Sequence, residues 1–175
     1  MGDFLILGAG QLVAALTRAC RSLWKCSVQN MVSFGAPGEL KYLSLTIEAR
    51  ADSFFIHQRE YISDLLEKWG LDKANGTGTM QFEPTGDEEE AEEPEVGDVR
   101  LAQRMSGGLL WLSSRTRPDI AFVVSRVASA ASSRPLWALR LGKRVLRYLI
   151  STRAYGLVYR AGMGELRLDV CRCQF

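Results

Sequence analysis

TRPDIAFVVSR, Thr116 to Arg126, and LGKRVLRYLIST, Leu141 to Thr152, decide how the second half of this chain folds. Thr116 and Asp119 have the T-x-x-D spacing of a capping box, and Pro118 falls in the first turn, where a missing N–H is tolerated. Ile120, Val123, Val124 and Val127 then repeat at helical spacing, which predicts a buried helix face. Further on, Arg140, Lys143, Arg144 and Arg147 fall at i, i+3, i+4 and i+7 and gather four positive charges on one narrow face. Trp137, Leu141, Val145, Tyr148 and Leu149 form the neighbouring apolar face. A helix that is core on one side and cationic on the other suits a phosphate backbone, although a solvated surface helix gives the same pattern.

Working outward, 47% hydrophobic residues in 175 are enough for one sizeable core or two small ones. The chain has no apolar run of the length a membrane helix needs, about 18 residues. Its N-terminus lacks the charged start and cleavage site of a secretory signal, so an intracellular location and no membrane partner are expected. Cys20, Cys26, Cys171 and Cys173 show no C-x-x-C spacing and His57 is the only histidine, so structural zinc is disfavoured and reduced, mostly buried thiols are expected. The net charge of +2 hides an asymmetry. Nine acids and no base lie between Glu83 and Asp98, whereas eleven bases and the single Asp119 lie between Arg100 and Arg153. The polyanion hypothesis therefore rests on the basic half.

The remaining patterning predicts an α+β fold. Asp3 to Leu7 reads as a short strand, followed by an amphipathic helix with Leu12, Leu16, Cys20, Leu23 and Trp24 on its apolar face. Lys25 to Phe34 has strand character, and Leu40 to Glu48 is expected to pair with Ser53 to His57 across a turn near Ala51 and Asp52. Together these make a small, mostly antiparallel sheet with two helices, the second running from Arg59 to Trp69 and stopped by Gly70. Residues 1–71 form this α+β segment. Residues 72–98, rich in Gly, Pro, Thr and Glu, read as a flexible acidic linker, or alternatively as an acidic mimic that folds over the basic half. Residues 99–153 hold three helices, about Val99 to Ser113, Arg117 to Ser132 and Pro135 to Ser151, as a basic helical unit. Residues 154–175 supply a short terminal hairpin, Gly156 to Tyr159 and Glu165 to Val170.

Six segments in order resemble the reverse transcriptase region of the Pol polyprotein of copia-type LTR retrotransposons. They are DFLILG (Asp3 to Gly8), GELKYLSLTIE (Gly38 to Glu48), FIHQREYISDLLEKWGL (Phe55 to Leu71), the Thr116 and Leu141 stretches quoted above, and Tyr155-Gly156-Leu157 with Tyr159. The resemblance implies a partial copy, from the end of the palm through the thumb and connection region to the edge of ribonuclease H. It implies RNA-directed DNA synthesis with Mg2+ in the intact family, a template-primer of RNA or DNA as partner, and polymerase and ribonuclease H segments beyond this stretch.

Phosphoryl transfer onto a primer end needs two metals held by several carboxylates. By resemblance, Asp3 matches the second acid of the family's paired aspartates, while Gly2 stands where the first belongs. Asp3 is therefore the single catalytic and metal-ligand candidate, and the isolated chain is expected to lack polymerase activity. Asp169 precedes the position of the first ribonuclease H acid and is not assigned a role. The nucleic-acid-binding candidates are Arg140, Lys143, Arg144 and Arg147, and a non-catalytic nucleic-acid-binding remnant is the alternative. A distant alternative is a Rossmann-type nucleotide-binding loop at Gly8 and Gly10, whose third glycine position holds Val13 and which lacks an acid in residues 25–35.

Overall fold

The computed structural model describes residues 2–33, 35–80, 95–160 and 167–174. The expected acidic run from residue 81 to 94 lies outside them. The architecture is α+β, and the chain divides into two units, Met1–Gln58 with Gly156–Phe175, and Arg59–Tyr155.

The first unit contains two antiparallel sheets. Strands β1 (Gly2–Gly8), β2 (Lys25–Ser33) and β7 (Arg167–Gln174) form one sheet in the order β1-β7-β2, with helix α1 (Gly10–Leu23) connecting β1 to β2. Strands β3 (Gly38–Tyr42), β4 (Leu45–Ala49), β5 (Ser53–His57) and β6 (Leu157–Arg160) form the other, in sequence order. Val32, Leu40, Ile47, Ala49 and Phe54 make the core.

Four expectations are corrected here. The stretch from Leu40 to Glu48 is not one strand, because Leu43 and Ser44 adopt φ of 46° and 63° and fold it into the β3–β4 hairpin. That is the two-residue turn whose twist suits a hairpin, built here without its usual Asn or Gly. The predicted pairing with Ser53 to His57 does form, with Ile47 opposite Ile56. The terminal strands are not a hairpin: β6 adds to β5, while β7 inserts between β1 and β2. Helix α1 buries Val13, which lies against Gly8, and leaves Leu12, Leu16 and Leu23 exposed at 64%, 53% and 70%. Finally, Cys26, opposite Cys173 in the β2–β7 register, is disulfide-bonded, while Cys20 is the free thiol among the described residues.

The second unit is helical. Helix α2 (Arg59–Lys68) buries Ile62, Leu65 and Leu66, and packs with the other helices where the sequence placed it with the N-terminal sheet. Gly70, at φ 64°, ends it: the Leu71 and Gly70 N–H groups donate to the Leu66 and Glu67 carbonyls at 2.8 and 2.9 Å, a Schellman pattern. Helix α3 (Val96–Arg115) starts inside the expected linker. A 3-10 turn, Pro118–Ile120, leads into α4 (Ala121–Ala130), and α5 spans Pro135–Ser151, the bounds its pattern predicts. Ile120, Val123, Val124 and Val127 are buried, as are Leu141, Val145 and Leu149 of α5. A Cβ at Gly142 would strike the Met105 sulfur, so glycine permits the close approach of α3 and α5.

Residues 71–80 are also part of this unit. Leu71 and Met80 pack against its core, and the Thr77 N–H donates to the Arg147 carbonyl at 3.1 Å. This stretch is therefore docked, where the sequence suggested a linker.

Candidate nucleic-acid interface

Arg140, Lys143, Arg144 and Arg147 are all exposed along one side of α5, opposite the buried Ala138, Val145 and Leu149. Helical geometry keeps the four within two turns, and the packed apolar face stops the helix from rotating them inward. Among the described residues none of the four enters an ion pair. Among the described residues this positive charge has no acidic partner and sits on a packed helix, which is the electrostatic requirement for a polyanion.

At the C-terminal end of α5 lies a buried cation that the sequence pattern did not single out. Arg117, 1% exposed, donates from Nε and Nη2 to the two Asp119 carboxylate oxygens at 2.9 and 2.7 Å. Its Nη1 and Nη2 donate to the carbonyl and hydroxyl oxygens of Thr152 at 3.0 and 2.8 Å. The Tyr148 and Tyr155 rings lie 5.6 and 5.4 Å from the guanidinium carbon, and the Tyr148 hydroxyl donates to Asp119 at 3.1 Å. A fork-shaped guanidinium can serve a carboxylate and a helix end together, as lysine cannot. The expected capping box started at Thr116, whereas the N-cap of the 3-10 turn is Arg117, which makes no side-chain cap hydrogen bond, and the Asp119 carboxylate turns to Arg117.

Burial alone would raise the Asp119 carboxyl, but the hydrogen bonds and charge of Arg117 outweigh it and hold the group below its ordinary value. Burial, and then the neighbouring Asp119 charge, pushes the Tyr148 hydroxyl up. Three of the motifs quoted from the sequence thus meet at one node: Arg117 and Asp119 from the first, Tyr148 and Thr152 from the second, Tyr155 from the third. Their shared occurrence was the signal that could have revealed it.

Asp3 belongs to the other unit, in β1, opposite Arg172 in the β1–β7 register. Its sequence neighbour Gly2 and cross-strand neighbours Cys173, Arg172 and Cys171 supply no second carboxylate. Among the described residues no group of three metal-ligating side chains gathers. By resemblance the position before Asp3 should hold the first acid of the pair, and the sequence has Gly2 there. The Gly8 and Gly10 loop does connect a strand to a helix, but the antiparallel β7 separates β1 from β2. A dinucleotide fold sets those two strands side by side in a parallel sheet, so the Rossmann alternative is not supported.

Over 81 residues, 46% of its length, the chain is 36% identical to a Ty5-1 transposon protein of Saccharomyces cerevisiae. Over 61 residues, 34% of its length, it is 43% identical to secreted RxLR effector protein 161 of Plasmopara viticola. These stretches span 26% and 43% of the two relatives. No family model and no solved structure matches the chain. Over the first stretch this is a transposon-related sequence. No helix among the described residues is long and apolar enough to cross a membrane.

Proposed function

We propose that the chain is a segment of a copia-type LTR retrotransposon Pol polyprotein, from the end of the reverse transcriptase palm towards ribonuclease H, and that its own activity is sequence-independent nucleic-acid binding. The observation that carries this reading is the four-cation stripe of α5 on a transposon-related chain. Arg140, Lys143, Arg144 and Arg147 would each neutralise phosphate charge and release counterions, giving weak binding with a steep salt dependence. The partners are an RNA or DNA template-primer and the flanking segments of such a polyprotein, in an intracellular setting.

Magnesium-dependent synthesis belongs to the intact family by resemblance. In this chain Asp3 stands opposite Arg172 in the strand register and, by resemblance, Gly2 stands where its partner acid belongs, which favours the non-catalytic reading. Primer extension on an RNA template with Mg2+ is expected to give no incorporation. Incorporation abolished by Asp3→Ala would reverse that. Binding is tested by titrating labelled oligonucleotides over a range of salt concentrations. Exchanging all four cations for glutamine should flatten the salt slope by up to about four charges' worth; an unaltered affinity and slope would reduce the stripe to a solvated face.

A further inference from the structure

The docked stretch from Leu71 to Met80 bears on where a bound phosphate backbone goes after Arg147. Its Thr77 N–H is latched to the carbonyl of the same residue whose side chain ends the stripe. Gly76 lies so close to the end of α5 that a Cβ would collide with the Ser151 hydroxyl and come within 2.9 Å of its backbone nitrogen. The strap is therefore seated against the last turn of α5 by two independent contacts. Asn75, Thr77, Gly78 and Thr79 are exposed, and among the described residues a Cβ at Gly78 would meet nothing within 4 Å, so packing against them does not explain that glycine. No acid occurs between Lys73 and Gln81. Hydroxyls, side-chain amides and backbone N–H groups are, with Arg and Lys, the usual donors to phosphate oxygens.

We infer that the strap is a second phosphate subsite, continuing the α5 stripe beyond Arg147 with the neutral donors of Asn75, Thr77, Gly78 and Thr79. The inference rests on the nucleic-acid reading of α5 and extends it from one helix face to a composite track. Charge and neutral donation leave different signatures. A lysine or arginine that meets a phosphate releases a counterion and steepens the salt slope, whereas a hydroxyl or amide adds affinity without releasing one.

The test uses the full chain and labelled single-stranded and duplex oligonucleotides, titrated by fluorescence anisotropy at several salt concentrations. The triple variant Asn75→Ala, Thr77→Ala, Thr79→Ala should lose roughly three- to tenfold in affinity, by the same factor at every salt concentration, with an unaltered slope. Thr77→Pro, which removes the latching N–H, should lose more than Thr77→Ala. A triple variant that binds as the parent does, or whose deficit fades as salt rises, overturns the inference. Thermal unfolding separates these effects from loss of fold, and the triple-alanine variant alters only exposed side chains. If the glutamine stripe variant is also silent, the reading of α5 itself has failed; if the stripe matters and the strap does not, only the subsite has. Strap-dependent binding to phosphatidylserine vesicles at the strength seen with oligonucleotides would assign the subsite to a lipid headgroup and overturn its nucleic-acid role.

Discussion

Arg117 and the four cations of α5 carry the same charge within one helical unit and are treated in opposite ways. Arg117 is buried and directs four hydrogen bonds to Asp119 and Thr152. Arg140, Lys143, Arg144 and Arg147 stand in solvent, and among the described residues none has an acidic partner. A buried guanidinium must be neutralised and hydrogen-bonded or the unit would not fold. An exposed one is under no such demand and remains available to a ligand. Arginine in a family-like motif therefore has no fixed meaning; burial and partners decide between scaffold and interface.

The largest expected effect breaks the buried side of this contrast. Arg117→Met leaves Asp119 without its fork and takes from the Thr152 carbonyl one of its two donors, the other being the Tyr155 N–H, and should cost about 3 kcal/mol of stability by urea denaturation. Adding Asp119→Leu should recover much of that, because two well-packed apolar groups carry no uncompensated charge. A single variant as stable as the parent would mean that the node is not a staple.

Exchange of arginine for lysine sharpens the contrast at constant charge. Arg117→Lys should cost about 1–2 kcal/mol, since an ammonium cannot hold both carboxylate oxygens and the helix end in one plane. Arg144→Lys with Arg147→Lys should leave stability and the salt slope of nucleic-acid binding unaltered. Equal costs at the two places would erase the distinction.

How far the sequence revealed these features follows from which interactions are local. Helix α5 was predicted to its ends because Pro135 starts it and one periodic apolar face runs its length. The stop at Gly70 was equally legible, since a left-handed residue is needed there and glycine supplies it. The Leu43–Ser44 turn was not, because neither residue is a usual carrier of positive φ and only the completed hairpin selects that conformation. Likewise the apolar face read for α1 stays exposed at Leu12, Leu16 and Leu23, while Val13, outside that face, is buried near Gly8. The division of β6 and β7 between two sheets depends on partners more than 90 residues away in the chain, which no local pattern encodes. At the interface, the stripe was legible from spacing alone. The node was hidden because T-x-x-D looked like a cap, while Asp119 pairs with Arg117 inside the motif and between them they reach Tyr148 and Thr152 at the end of α5, 29 and 35 residues on.

Acid titration addresses Asp119 directly. Its carboxyl is held below the ordinary value, so the stability from this pairing is present above about pH 4 and is lost as pH falls through the lower folded-state value. Asp119→Asn removes that dependence. The stability difference between parent and variant should narrow as pH is taken from about 6 to about 3, and a constant difference would show that the carboxylate charge contributes nothing.

The smallest effect concerns the stripe's cost to the fold. Arg140 with Lys143, Arg140 with Arg144, Lys143 with Arg147, and Arg144 with Arg147 are all like-charged neighbours at three or four residues, each disfavouring the helix by about 0.2–0.5 kcal/mol at low salt. Exchanging all four for glutamine removes these repulsions and no packing, because the side chains are exposed. The variant should therefore be more stable than the parent at low salt, by about 1 kcal/mol, and the gain should vanish as salt screens the charges. A loss of stability would mean that the cations are used within the fold, as Arg117 is. A salt-sensitive gain, together with a flattened binding slope, would mean that the helix carries mutual repulsion in its free state which a phosphate backbone relieves, so that the face works against the fold and in favour of the ligand.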